Sequence, residues 1–136
     1  SGWIPVDAQT MKVKGIEGPV PVYAIGDIAA VPLPGRFKPD VPLMLPKAGV
    51  FAASQGVIAA KHIASAVLAK PVADVFDGKG FCYIETGKEL AVKGEGAFFE
   101  MPHPKMRRQA PDNRQFRDKQ EWVNLWLKGA FEELLS

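Results

Sequence analysis

Val22-Tyr23-Ala24-Ile25-Gly26-Asp27 is the stretch on which the fold turns. Four apolar residues end in Gly-Asp. A proline-rich run over 31–46 follows, with Pro32, Pro34, Pro39, Pro42 and Pro46. Lys47-Ala48-Gly49 then opens an alanine-rich segment that reads as helix to Ala69. The apolar run predicts a short buried strand over 20–25. A glycine at its carboxyl end lets a ligand approach the backbone, because no Cβ blocks the way. The ionised carboxylate of Asp27 only accepts, so it suits a sugar or ribityl hydroxyl. Ligands of open α/β sheets sit beyond such strand ends. A helix start at Lys47 adds unpaired N–H groups and partial positive charge. The pattern therefore points to a ligand with hydroxyls and an anionic or electron-accepting group. A plain core strand, turn and core helix fit the same spacing.

Outward from that stretch, the chain divides at Lys70-Pro71. Residues 1–70 read as one portion and 71–136 as another, and the whole as α+β. Residues 3–14 suggest a short hairpin, and Gly15, Gly18, Pro19 and Pro21 mark turns. Prolines remove donors and restrict their neighbours, so 31–46 is expected to be a long irregular loop. In the helix from Lys47, Ser54, Lys61 and Ser65 share one stripe at about 100° per residue. Ala52, Gly56, Ala60, Ile63 and Val67 lie opposite and predict close packing on a sheet or flat ligand. His62 falls beside the polar stripe and reads as a surface residue. Pro71 stops the helix. Residues 81–85 and 90–99 are rich in strand formers and are separated by Thr86-Gly87-Lys88, which reads as a hairpin. Asp112 or Asn113 is a candidate cap for a last helix running to Leu135. On that helix Asp118, Glu121, Asn124, Lys128 and Glu132 form a polar arc. Trp122, Val123, Trp126, Leu127, Ala130, Phe131 and Leu134 fill the other side. Such a helix either packs on its own domain or lies at a membrane interface beside a basic segment, here Lys105, Arg107, Arg108, Arg114 and Arg117.

Length and charge narrow the classes. The 136 residues suit one domain, or a small core with an appendage. A hydrophobic share of 47% is that of a globular chain. A formal charge of +2 gives no basic field for nucleic acid. No stretch reads as apolar for the ~20 residues a bilayer span requires. The one cysteine, Cys82, has no intrachain disulfide partner, and no metal-ligand cluster stands out.

Val-Tyr-Ala-Ile-Gly-Asp is preceded by Gly2-Trp3-Ile4-Pro5-Val6-Asp7. It is followed by Pro46-Lys47-Ala48-Gly49-Val50-Phe51-Ala52 and Gln55. This set resembles the second FAD-binding region of the pyridine nucleotide–disulfide oxidoreductase family. The likeness covers residues 2–100 and is greatest to the sulfide:quinone oxidoreductase and flavocytochrome c sulfide dehydrogenase branch. It implies that Gly26 and Asp27 meet the ribityl or pyrophosphate region of FAD. Lys47, Ala48 and Gly49 would face the pyrimidine edge of the flavin. There, positive charge and N–H groups would stabilise the charge that flavin reduction creates. No Gly-x-Gly-x-x-Gly occurs in the chain. In the family that element holds the FAD pyrophosphate. The expectation is thus the carboxyl-terminal part of an α/β flavoprotein: the end of a Rossmann-like FAD domain, then a hairpin and an amphipathic helix. The chain alone is expected to be inactive, free of FAD and dimeric through an uncovered strand at 20–25. The parent would be an enzyme.

Cys82, in Phe81-Cys82-Tyr83, matches the position of a redox cysteine in the sulfide-oxidising branch. The resemblance implies that it carries sulfane sulfur and passes electrons to flavin and on to a quinone or other acceptor. Its partner cysteine would lie upstream. Many sulfide:quinone enzymes have Cys-Pro where this chain has Cys82-Tyr83, which puts sulfide in question. A buried, inert thiol is the other reading of Cys82. Type II NADH:quinone dehydrogenases share the FAD signature without this cysteine, and a non-catalytic membrane-docking module is a third reading. The amphipathic end resembles the region by which sulfide:quinone oxidoreductases sit peripherally on a membrane.

Overall fold

Asp7 organises the first reversal of the chain. Its carboxylate accepts the N–H groups of Gln9 and Thr10 and the Thr10 hydroxyl, at 3.1, 2.8 and 2.9 Å. Burial pushes the carboxyl up, but these bonds outweigh it and hold the group below the usual carboxylate range. The chain returns so that Val6 faces Val13 in an antiparallel bridge, with the Asp7 N–H on the Lys12 carbonyl at 2.8 Å. The predicted hairpin over 3–14 is thus a tight turn with a single bridge. In the computed structural model residues 2–135 are described, apart from the side chains of Phe37 and of 130–135.

The protein is α+β, with two α-helices and three small sheets among the described residues. β1 (Ile4–Pro5) pairs in parallel with β2 (Ala29–Ala30). The expected strand at 20–25 does not form. Tyr23 makes one isolated bridge to Lys12, and only Ala24 is buried, while Val20, Val22 and Ile25 are exposed. The physical reason is a shortage of partners. Residues 11–13 supply two bonds, Val13 N–H to Val22 O and Ala24 N–H to Met11 O. Pro19 and Pro21 have no N–H to extend the ladder. A short 3-10 turn, Gly26–Ile28, follows instead.

The proline-rich run is also ordered differently from the expectation. β3 (Pro32–Lys38) and β4 (Val41–Met44) form an antiparallel hairpin with two register irregularities. Each of these two strands has an outer edge. Proline's missing N–H costs little at an edge or a bulge, which is why the hairpin tolerates Pro32, Pro34 and Pro42. α1 (Gly49–Leu68) then runs 20 residues and ends as expected, with Ala69 in the left-handed region at φ 51° just before Lys70-Pro71.

Three more strands follow: β5 (Lys79–Gly87), β6 (Leu90–Ala97) and β7 (Lys105–Arg108), in the order β5-β6-β7. The β5–β6 hairpin matches the sequence reading. Its turn is Lys88-Glu89, with φ of 52° and 56°, the two positive values of a type I′ connection. α2 (Asn113–Leu135) matches as well. Asp112 caps it by accepting the Arg114 N–H at 2.8 Å, while Asn113 donates to the Glu89 carbonyl.

The chain separates into two compact units, Ser1–Gly80 with Gly96–Met106, and Phe81–Glu95 with Arg107–Ser136. The first is built on Val6, Met11, Val31, Leu45, Phe51, Phe76 and Phe98. Phe51 meets Phe76 and Phe98 edge to face, at 6.3 and 5.2 Å between centroids. In the second, Phe81 and Tyr83 pack against Trp122 of α2, with Lys93 over both rings. Buried Gln115 accepts the Lys93 N–H and donates to the Ala110 carbonyl. The hydrogen bond from Lys93 to Glu95 raises the amine and lowers the carboxyl.

Candidate functional site

Phe51, Gln55, Ile58 and Ala59 are the buried positions of α1, at the one-three-four spacing of an amphipathic helix. The inner face is therefore not the small-residue face expected from sequence. Ala60, Ile63 and Val67 of that expected face are exposed, because the aromatic cluster below α1 needs Phe51 and Ile58 to fill it. By length and composition α1 is apolar enough to cross a bilayer, contrary to the sequence reading, although Phe51 and Gln55 are packed into the first unit. His62 is half-buried, with a ring nitrogen 2.9 Å from the Asp74 carbonyl and its ring tilted against Tyr23.

The start of α1 faces the 3-10 turn. Ala48 is extended and offers no side-chain cap, and the first helical bonds run from the Phe51 and Ala52 N–H groups to its carbonyl. Among the described residues nothing caps the Gly49 and Val50 N–H groups. Gly26 has φ +67°, and a Cβ there would stand 3.3 Å from the Ala52 Cβ. Glycine therefore lets the turn lie against the first turn of the helix. The Gly26 N–H donates to Gln55 Oε1 at 2.8 Å. Lys47 bonds the Ala29 carbonyl, and its ammonium lies 4.8 Å from the centre of the Trp3 ring. Asp27 is exposed.

Gly26, Asp27, Lys47, Ala48, Phe51 and Gln55 line one cavity of about 10 Å³. That is room for about one water-sized atom. Of the predicted cofactor residues, Gly26, Asp27, Lys47 and Ala48 come together there. Gly49 starts the helix beside them without lining the cavity. Cys82 belongs to the second unit and is not part of this cluster. It is exposed, so the buried reading of this thiol does not hold. Phe81 and Tyr83 turn toward Trp122, which puts Cys82 on the opposite face of β5. Gly94 lies beside it, and a Cβ there would be 3.7 Å from the sulfur.

Two site residues escaped the sequence reading. Gln55 appeared only as part of a motif, although a lone amide among Phe51, Ile58 and Ala59 is a signal of a buried polar role. Trp3 showed no local signal, because its partner lies 44 positions along the chain. No family model, no curated protein and no solved structure matches the chain.

Proposed function

We propose that the chain is the carboxyl-terminal part of an FAD-dependent oxidoreductase similar to sulfide:quinone oxidoreductase. In this reading electrons pass from sulfide, through a redox cysteine and flavin, to an acceptor such as quinone. The observation that carries it is the juxtaposition of the Gly26-Asp27 turn with the uncapped, lysine-bearing start of α1. These groups fit the middle and flavin end of FAD. Asp27 offers an exposed acceptor for hydroxyls, and the helix start, Lys47 and Gln55 offer donors for ring carbonyls. When bound, the flavin supplies the electron chemistry. The chain's own residues hold it, orient it and present positive potential to its electron-accepting edge.

Cys82 takes the redox role in this proposal. Its exposed thiol can be reached by a small anion such as hydrosulfide, and its thiolate is the nucleophilic form. The partner cysteine and the Gly-rich pyrophosphate turn are assigned to the rest of the parent polypeptide. Peripheral membrane attachment fits the middle of α2, the side chains of Phe131 and Leu134 on the expected apolar side lying outside the described residues. Leu125, Trp126 and Leu127 are exposed there, and Arg107, Arg108, Arg114 and Arg117 are exposed in the same unit. Removing residues after Asn113 should then release the parent from anionic liposomes; unchanged flotation would assign α2 to packing alone.

The deciding experiment is purification of the intact gene product that contains this chain. It should be yellow, and sulfide should bleach its flavin. Cys82→Ser should keep the flavin and lose the bleaching. A colourless protein overturns the flavoprotein reading. Bleaching by NADH and not by sulfide, unaltered in Cys82→Ser, assigns the NADH:quinone type and makes Cys82 structural.

A further inference from the structure

We propose that the second unit carries a binding site for a small carboxylic acid with an apolar tail, in the groove above Val92, with Arg108 holding the carboxylate. The groove is formed by the second unit alone, so the proposal stands apart from the flavoprotein reading.

A departure from regular pairing builds the groove. Asp112 and Ala91 exchange both backbone bonds, at 3.0 and 3.2 Å. In a regular antiparallel ladder Ala110 would then pair with Lys93. Gln109 instead gives its N–H to the Lys93 carbonyl, at 3.2 Å. The side-chain amide of Gln115, 4% exposed, fills the gap: its oxygen accepts the Lys93 N–H, and its nitrogen donates to the Ala110 carbonyl. The extra residue makes a bulge, and Pro111 beside it has no N–H to pair. Thr86, Val92, Arg108, Gln109, Ala110 and Pro111 line the groove, which holds about 480 Å³. That is the size of a small-molecule cleft. Val92 is buried at its floor, and the Thr86 hydroxyl bonds the Leu90 carbonyl.

The lining defines the ligand. Val92, Ala110 and Pro111 give an apolar surface, and Arg108 is the one charged residue on it. Among the described residues the Arg108 guanidinium has no hydrogen-bond or ion-pair partner, and no acidic residue lines the groove. A guanidinium takes a carboxylate through two parallel bonds, and the Gln109 amide stands beside it as a further donor. A bare inorganic anion would leave the apolar surface unused. An extended peptide would find no ladder to join. The Gln109 N–H, the Ala110 carbonyl and both backbone groups of Asp112 are already paired, and Pro111 has no N–H. A small acid brings no backbone groups to satisfy.

The test is a titration of the full chain with octanoate, acetate and octanol, followed by nuclear magnetic resonance at the amides of Thr86, Val92, Gln109 and Ala110. Octanoate should shift these signals saturably and bind at least about tenfold more tightly than acetate, the factor that burying about two methylenes supplies. It should also bind about tenfold more tightly than octanol, which lacks the charge. Arg108→Gln should weaken octanoate about tenfold. Arg114→Gln, at an exposed arginine off the groove, should leave it within about twofold of wild type. Both positions are exposed, so both variants should keep the wild-type spectrum elsewhere. Absence of a saturable shift overturns the proposal. Equal binding of octanoate and acetate would mean an adventitious ion only. Wild-type affinity in Arg108→Gln, or an equal loss in Arg114→Gln, overturns the role of Arg108. Tighter binding of a capped Leu-Leu-Glu peptide than of octanoate assigns the groove to a protein partner and overturns the small acid.

Discussion

Gly26→Ala should destabilise the first unit by about 1–2 kcal/mol from backbone strain alone, and by about 2–5 kcal/mol if the turn moves. The first part comes from φ +67°, a region where a Cβ costs about 1–2 kcal/mol. The second comes from contact. The new Cβ would stand 3.3 Å from the Ala52 Cβ, so one side must give by a few tenths of an ångström. The helix is the stiffer side. Ala52 bonds back to the Ala48 carbonyl, and its neighbour Phe51 is wedged between Phe76 and Phe98. The turn therefore yields, and the 2.8 Å bond from Gly26 to Gln55 stretches. An acceptor as buried as Gln55 Oε1 costs about 1–3 kcal/mol when left unpaired. Urea unfolding of wild type, Gly26→Ala, Ala52→Gly and the double variant separates these parts. Ala52→Gly alone should cost about 1 kcal/mol in helix propensity. It also removes the contact, so the double variant should be more stable than the sum of the singles predicts by at least about 0.5 kcal/mol. A Gly26→Ala protein within about 0.3 kcal/mol of wild type, or a strictly additive cycle, refutes the reasoning.

Phe51→Ala should cost about 3–5 kcal/mol, because the ring fills the space between Phe76 and Phe98 and beneath Gly80. Thermal unfolding followed by near-ultraviolet circular dichroism reads it, and a loss under about 1 kcal/mol would show the aromatic cluster to be loosely packed. Asp7→Ala should cost about 1 kcal/mol at neutral pH, a figure already discounted for solvent around this exposed turn. Asp7 is held below its unfolded value near 3.9, so its contribution is full above about pH 4 and fades as pH falls through the folded value. The gap between wild type and Asp7→Ala should therefore narrow in acid. A gap as wide at about pH 2 as at neutral pH would assign the effect to backbone propensity instead.

The elements legible in the sequence are those decided by near neighbours. Lys70-Pro71 ends α1, Asp112 caps α2, and the strand formers around Gly87-Lys88 give the β5–β6 hairpin. Those that were not legible depend on who pairs with whom. Val20, Val22 and Ile25 look like a strand, but a strand needs a neighbour along its length, and this stretch has little more than residues 11–13. Pro32, Pro34 and Pro42 look like loop residues, but a two-stranded hairpin is all edge and accepts them. The same split runs through the candidate site. Gly26, Asp27, Lys47 and Ala48 announce themselves by local pattern. The contacts of Gln55 and Trp3 run across 29 and 44 positions; the lone amide among Phe51, Ile58 and Ala59 hints that Gln55 is a buried polar group but not at its partner, and Trp3 has no local signal of its role.

The outer face of α1 bears on how the chain behaves by itself. Ala53, Val57, Ala60, Ile63, Ala64, Val67 and Leu68 are all exposed, with Val67 at 78%, opposite an inner face that is already packed. Ile25 lies alongside, its Cδ1 3.5 Å from the Cβ position of Gly56. A helix apolar on both sides normally lies inside a larger body. An apolar face of this kind calls for a cover, either further polypeptide or a second copy of the chain. It also moves the expected self-association of the chain alone from a strand edge at 20–25 to α1. Over 20 residues the helix is about 30 Å long, enough for two copies to pack along their outer faces. Val57→Lys with Val67→Lys puts two charges on that face, at exposed positions where the fold loses little. Sedimentation of the chain alone should show a dimer for wild type and a monomer for the double variant, with equal helix content by circular dichroism. A variant that still dimerises excludes α1 as the contact, and a monomeric wild type excludes self-association altogether.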